Sequence, residues 1–157
     1  PPPPPPFFLH AHEAYPDSVA SRGLGDVYKR QGEGDLAGEQ WGWLRSTVSA
    51  CAGPVAIFMH HPPVFVGSQW IDQLSLASLG IFANLVEDFE QIKLVICGHV
   101  HQEFYTQIFH ADVFTTPSTC VQFKPNSHDF AVDAIAPGFR TFNLKGDGSY
   151  ETKVIRL

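Results

Sequence analysis

The chain has 157 residues, 44% of them apolar, and a formal net charge of −6. That content supports one compact domain with a real core and excludes wholesale disorder. An acidic chain without a Lys/Arg cluster is poorly suited to a nucleic-acid backbone, although bound metal ions could supply the positive charge that a small phosphorylated substrate needs.

Residues 1–31 read unlike the rest. Six prolines open the chain, which implies polyproline II or no structure. Residues 21–31, SRGLGDVYKRQ, resemble a translated adaptor sequence. Residues 1–31 are therefore read as a non-native or disordered leader and residues 32–157 as the domain. Inside the leader, His10 and His12 imitate a ligand pair and Gly25-Asp26 imitates a metal-site dipeptide, but no apolar strand precedes either one to position it.

Asp35 can cap a helix running to about Ala52, with Trp41, Leu44, Val48 and Cys51 on one face. Gly53-Pro54 stops it. The unbroken apolar run Val55–Met59 predicts a strand buried on both faces, ended by His60-His61-Pro62-Pro63. A loop from Val64 to about Ser75 leads to a second helix with Leu76, Leu79, Phe82, Val86 and Phe89 as its stripe. Lys93–Cys97 repeats the buried-strand pattern and ends at Gly98-His99-Val100-His101. Beyond it, residues 103–109, 113–116, 119–123, 139–144 and 150–156 read as strands, the last two flanking the turn Lys145-Gly146-Asp147-Gly148. The expected class is α/β with an antiparallel finish.

Cys51, Cys97 and Cys120 are odd in number and far apart, which argues against a disulfide framework and fits a reducing, cytoplasmic compartment, with each thiol read as a small buried residue. No apolar run approaches a membrane span.

The informative pattern is positional. Two buried strands each end in histidine, and ligands gather at the carboxyl ends of strands in open α/β sheets. His60, His99 and His101 could therefore converge, although 39 positions (99 − 60) separate the first two. In an extended Gly98-His99-Val100-His101 segment, residues two apart point the same way and could reach one cation or two neighbouring ones. Neutral imidazole suits zinc, manganese and iron. The bland alternative is that these rings only satisfy polar strand ends. Trp41, Trp43 and Trp70 read first as core or lid, with Trp70 the best placed for stacking on a base. His110 and His128 fall in predicted turns and read as solvated, Asp129 as a turn residue and Lys124 as surface.

Phe58-Met59-His60-His61-Pro62-Pro63 and Cys97-Gly98-His99-Val100-His101-Gln102 resemble the last two metal motifs of the calcineurin-like metallophosphoesterases. Thr116–Pro125, with Asp129-Phe130-Ala131 and Pro137-Gly138-Phe139-Arg140, resembles the bacterial cyclic-AMP phosphodiesterases of that superfamily. The resemblance covers roughly residues 34–157. It implies a four-layer α/β/β/α sandwich and two divalent metal ions, Fe2+ or Mn2+ with Zn2+ as the alternative. It also implies that His60 and His99 bind the second metal, that His101 binds the first beside the substrate phosphate, and that His61 is a neighbour only. The implied reaction is hydrolysis of 3′,5′-cyclic AMP to 5′-AMP, with the cyclic nucleotide as partner and neither nucleic acid nor membrane. The superfamily's Asp-x-His motif and Asn-His pair are absent from the chain, so it reads as the C-terminal half of such a domain, expected to be inactive by itself. Alternatives are a related phosphoesterase acting on a phospholipid, nucleotide sugar or phosphomonoester, a non-catalytic fragment, and a mononuclear three-histidine zinc hydrolase.

Overall fold

The computed structural model describes residues 34–157. The leader reading for residues 1–31, with His10, His12 and Asp26, lies outside the described residues.

Helix α1 spans Gly38–Ala50 and buries Leu44 and Val48. Its cap differs from the sequence expectation. The N-cap position is Ala37, whose N–H donates to the Gln40 side chain at 2.8 Å. The Asp35 carboxylate instead accepts from Leu36 N–H at 2.8 Å and from the Ser78 hydroxyl at 2.6 Å, tying the approach to α1 to a later segment. Strand β1, Val55–Met59, follows the Gly-Pro break. A single helical turn, α2 (Gln69–Asp72), occupies the expected loop, and its Asp72 carboxylate accepts the Val66 and Gly67 N–H groups at 2.7 and 3.0 Å. Helix α3 runs only from Leu79 to Asp88. Leu76 is not on it, because its N–H donates to Pro62 C=O at 3.0 Å and it pairs with Gly34 in an isolated bridge.

Strands β2 (Ile92–Cys97), β3 (Tyr105–Ile108) and β4 (Ala111–Thr115) complete a four-stranded sheet in the order β1-β2-β4-β3. β1, β2 and β4 are parallel, and β3 pairs antiparallel with β4. The fold is therefore mixed α/β. One face of β2 presents Val95 and Cys97 to a core with Leu44, Val48, Phe82, Leu85 and Val86 from α1 and α3. Its other face presents Leu94 and Ile96, which pack with Phe114 against Phe142, Leu144 and Tyr150. Those last residues belong to the hairpin of β7 (Gly138–Leu144) and β8 (Tyr150–Arg156). Its turn uses Gly148 at φ +88°, a conformation suited to glycine.

Three expectations need correction. β2 is buried on both faces, but β1 is not, since Phe58 is 39% exposed. β1 is the edge strand of the described sheet, and the hairpin reaches Ala56 without Phe58 joining that cluster. Residues 119–123 give only a two-residue strand, β5 (Gln122–Phe123), pairing with an unexpected β6 (Val132–Asp133). The Gln122 side chain bonds the Ser118 backbone N–H and C=O at 3.2 and 2.6 Å, so local bonds replace the ladder there. Among the cysteines, Cys97 is buried in the core and burial pushes its thiol up to about 12, whereas Cys120 is exposed; all three thiols are free. Among the described residues no helix is long and apolar enough to cross a membrane.

The hairpin is pinned to the sheet through Asp112 of β4. Its carboxylate accepts from Tyr150 at 2.5 Å, Tyr105 at 2.7 Å and Gln107 at 2.9 Å. Burial alone would raise this carboxyl, but the bonds from Tyr150, Gln107 and Tyr105 outweigh it and hold the group below the usual carboxylate range. The stabilisation is complete above the unfolded value of about 3.9 and is lost as pH falls through the lower folded value. Tyr150→Phe should cost about 1 kcal/mol at neutral pH, below the roughly 1.5–3 kcal/mol of a bond to a charge, because Asp112 is partly solvated. Chemical denaturation should show that loss, with a smaller acid-induced loss below about pH 4 than in the unaltered chain.

Candidate metal centre

β1 and β2 run parallel in a register that pairs Phe58 with Ile96 and Met59 with Cys97. The residues after each strand are therefore neighbours: Gly98 N–H donates to Met59 C=O at 3.4 Å. Across that junction His99 Nδ1 lies 3.1 Å from His60 Nε2. Two imidazole nitrogens sharing one cation, with bonds of about 2.1 Å, would stand roughly 3.0–3.4 Å apart for octahedral to tetrahedral angles. His61 completes a group of three, and the potential ligand atoms of His60, His61 and His99 all lie within 4.8 Å of one another.

The chain after Gly98 is not extended, contrary to expectation. His99 and His101 have φ of +52° and +48°, and Val100 N–H donates back to Gly98 C=O at 2.6 Å, closing a tight turn centred on His99. Positive φ is uncommon outside glycine and costs on the order of 1–3 kcal/mol per residue. The side chain between the two imidazoles, Val100, is 1% exposed and packs with Val66 and Ile71, which anchors the turn.

Ring protonation follows from the partners. His61 Nδ1 lies 2.8 Å from Leu74 C=O, and His101 Nδ1 lies 2.9 Å from Val121 C=O. A carbonyl only accepts, so each Nδ1 carries a hydrogen, and Nε2 is the lone-pair nitrogen of the neutral ring. Such a backbone partner is the usual support of a metal-ligating imidazole. Gly34 lies directly on His61: a Cβ there would sit 2.1 Å from the imidazole Cδ2, so no side chain fits. His101 stacks on Phe123 at 4.5 Å between ring centroids and 4° between planes.

Electrostatically His60 and His99 are built to stay neutral. Burial first, then His61, His60 and His101, lowers His99 to about 4. Burial first, then His61 and His101, also lowers His60. The second ring nitrogen of His99, Nε2, is buried without a hydrogen-bond partner among the described residues. An unmet buried polar atom costs roughly 1–3 kcal/mol. Clustered imidazoles, with His99 Nδ1 turned toward His60 Nε2 and backbone carbonyls on the Nδ1 atoms of His61 and His101, are a donor set that a divalent cation fits.

The structure thus brings His60 and His99 together. His101 lies close enough to influence both electrostatically, while its Nδ1 is engaged by Val121. His61 joins the cluster although the family pattern left it as a neighbour; the signal was its adjacency to His60 ahead of two prolines that end the strand. Trp70 is packed, not open: its indole N–H is buried and unpaired among the described residues. His110 is half-buried near Phe89 C=O at 3.3 Å, so it is not simply solvated. His128 is exposed beside Asp129 at 3.1 Å.

No family profile matches the chain. Among curated proteins it is similar to the 3′,5′-cyclic adenosine monophosphate phosphodiesterase CpdA of Vibrio vulnificus, 46% identical over 101 residues, covering 64% of this chain and 37% of that protein. It is 40% identical over 125 residues to the protein of the same name from Escherichia coli, covering 79% of this chain and 46% of the relative. It is 38% identical over 125 residues to the 3′,5′-cyclic-nucleotide phosphodiesterase of a Nostoc species, covering 79% and 47%. The chain spans less than half the length of these relatives.

The lowered His99 value carries a sign. The unfolded ring binds a proton near 6.5 and the folded ring near 4, so below about pH 6.5 the unfolded state binds more protons and stability falls until about pH 4. In metal-free buffer His99→Gln should flatten the pH dependence of the denaturation midpoint in that window, and NMR should show the His99 ring still neutral at pH 5.

Proposed function

We propose that this chain is part of a metallophosphoesterase that hydrolyses 3′,5′-cyclic AMP to 5′-AMP. In this reading His60 and His99 hold one divalent cation, and His101 contacts a second cation and the substrate phosphate. The observation that carries it is the approach of His60 Nε2 to His99 Nδ1, 3.1 Å, at the carboxyl ends of adjacent parallel strands, in a chain whose curated relatives are named cyclic-nucleotide phosphodiesterases. The described sheet would form one half of a four-layer sandwich.

When bound, the cations would neutralise phosphate charge and acidify a water. The chain's own residues do the rest of what is proposed here. His60 and His99 offer uncharged nitrogens at neutral pH because burial lowers both rings. His101, held by Val121 C=O and flat against Phe123, keeps Nε2 in a fixed direction beside the cluster. Val100, buried against Val66 and Ile71, anchors the turn that carries both rings. Fe2+ or Mn2+, with Zn2+ as the alternative, are the proposed ions, as imidazole accepts all three. The free thiols fit a cytoplasmic setting, and the net charge of −6 disfavours a nucleic-acid partner.

A second reading is favoured by one observation. In this chain taken alone, His60, His61 and His99 already form a compact three-imidazole group, so it would bind a single cation without turnover. Titration calorimetry with Mn2+ and Zn2+ tests the shared element: His60→Ala and His99→Ala should each weaken binding about tenfold or more, and His128→Ala should not. His61→Ala separates the readings, weakening binding as strongly only if it is a ligand. In the full-length parent, His60→Ala or His99→Ala should lower cyclic-AMP turnover at least a hundredfold. Full turnover with normal metal content in either variant would refute the assignment.

A further inference from the structure

The aromatic side chains beside His101 form a continuous wall. Phe123 stacks on the imidazole, and Trp70 meets Phe123 edge-on at 5.0 Å and 79°. Phe130 meets Trp70 at 5.1 Å and 77° and Phe123 at 5.6 Å and 67°. Trp70 and Phe123 are partly buried and pack on Val66, Ile71 and Val100, the same cluster that anchors the histidine turn. Phe130 is 63% exposed. The wall and the metal-ligand candidates therefore share one support, and one ring of the wall is left open to solvent.

That exposure is not the accident of a loose loop. The segment carrying Phe130 is closed by the pairing of Phe123 with Val132, by Lys124 N–H to Ala131 C=O at 2.9 Å and by the Ser127 hydroxyl to Asp129 C=O at 2.5 Å. Asn126 turns it at φ +54°. At that exposure part of the Phe130 ring is open to solvent, and a flat π-system stacks on an open ring face. A neighbouring cavity of about 350 Å³, bordered by His101, Glu103 and Arg156, is a weaker candidate for a base. Its arginine is already engaged by Glu103 at 3.3 Å and Ala136 C=O at 3.1 Å.

We propose that Phe130 is the base-stacking residue of this site, receiving the purine of a nucleotide whose phosphate lies at the histidine cluster. The proposal rests on the cyclic-nucleotide reading above and adds to it the residue that would make the site prefer a nucleotide over a phosphodiester without a base. Trp70, the sequence candidate for that role, instead holds Phe130 in place.

The test uses the full-length parent, loaded with Mn2+, and two substrates: 3′,5′-cyclic AMP and the 3′,5′-cyclic phosphate of methyl riboside, which lacks the purine. Phe130→Ala should raise KM for cyclic AMP roughly tenfold, in line with the cost of removing one aromatic platform, and should raise KM for the base-less substrate far less. Phe130→Tyr, which keeps the ring, should restore the cyclic-AMP value. An unchanged KM for cyclic AMP in Phe130→Ala, or equal rises for both substrates, overturns the stacking role while leaving phosphodiester hydrolysis standing. Failure of the unaltered parent to hydrolyse either substrate removes the cyclic-nucleotide reading and this proposal together.

Discussion

The parallel register of β1 and β2 is the constraint on which the rest depends. With Met59 opposite Cys97, the two chains leave the sheet side by side, and the next residues are His60 and Gly98-His99. A slip of one residue would turn Val95 and Cys97 toward the hairpin and Leu94 and Ile96 toward the helices. The site and the core are therefore fixed by the same pairing: the volumes packed against each face of β2 determine where the imidazoles meet.

Local costs at the cluster are balanced by that support. His99 and His101 occupy positive φ, and His99 carries a buried ring nitrogen without a partner among the described residues. Burial disfavours His60 and His99 as cations, which keeps their lone pairs available near neutral pH. The opposing stabilisation comes from Val100 in its own small apolar cluster and from backbone carbonyls that hold His61 and His101. Strain at a candidate site and good packing immediately beneath it are two parts of one arrangement.

Away from the site, the β7–β8 hairpin acts as a second layer. It covers the sheet face that the helices do not, through Phe142, Leu144 and Tyr150, and Asp112 joins it to two strands at once. This coverage is incomplete toward the end of β1, where Phe58 remains 39% exposed. On one face of β1, Val55 and Ile57 are buried in the core with the helices, and on the other Ala56 packs against the hairpin cluster.

Local sequence pattern was enough to predict β1, β2 and β8, because an unbroken apolar run or a strand flanking a strong turn leaves little choice of structure. It also showed that histidines end two apolar strands, and His60 and His99 were legible as a pair for that reason. It could not show α2 or β6, which are too short for any periodicity to register. Nor could it show the tight turn at His99 or the entry of His61 into the cluster. Those features depend on contacts distant in the chain: Val100 against Val66 and Ile71, Leu74 C=O on His61, and Gly34 against the His61 ring. Strand identity follows from side chains a few residues apart, but the direction of an imidazole follows from whichever remote backbone group holds its other nitrogen, a contact that exists once the chain has folded.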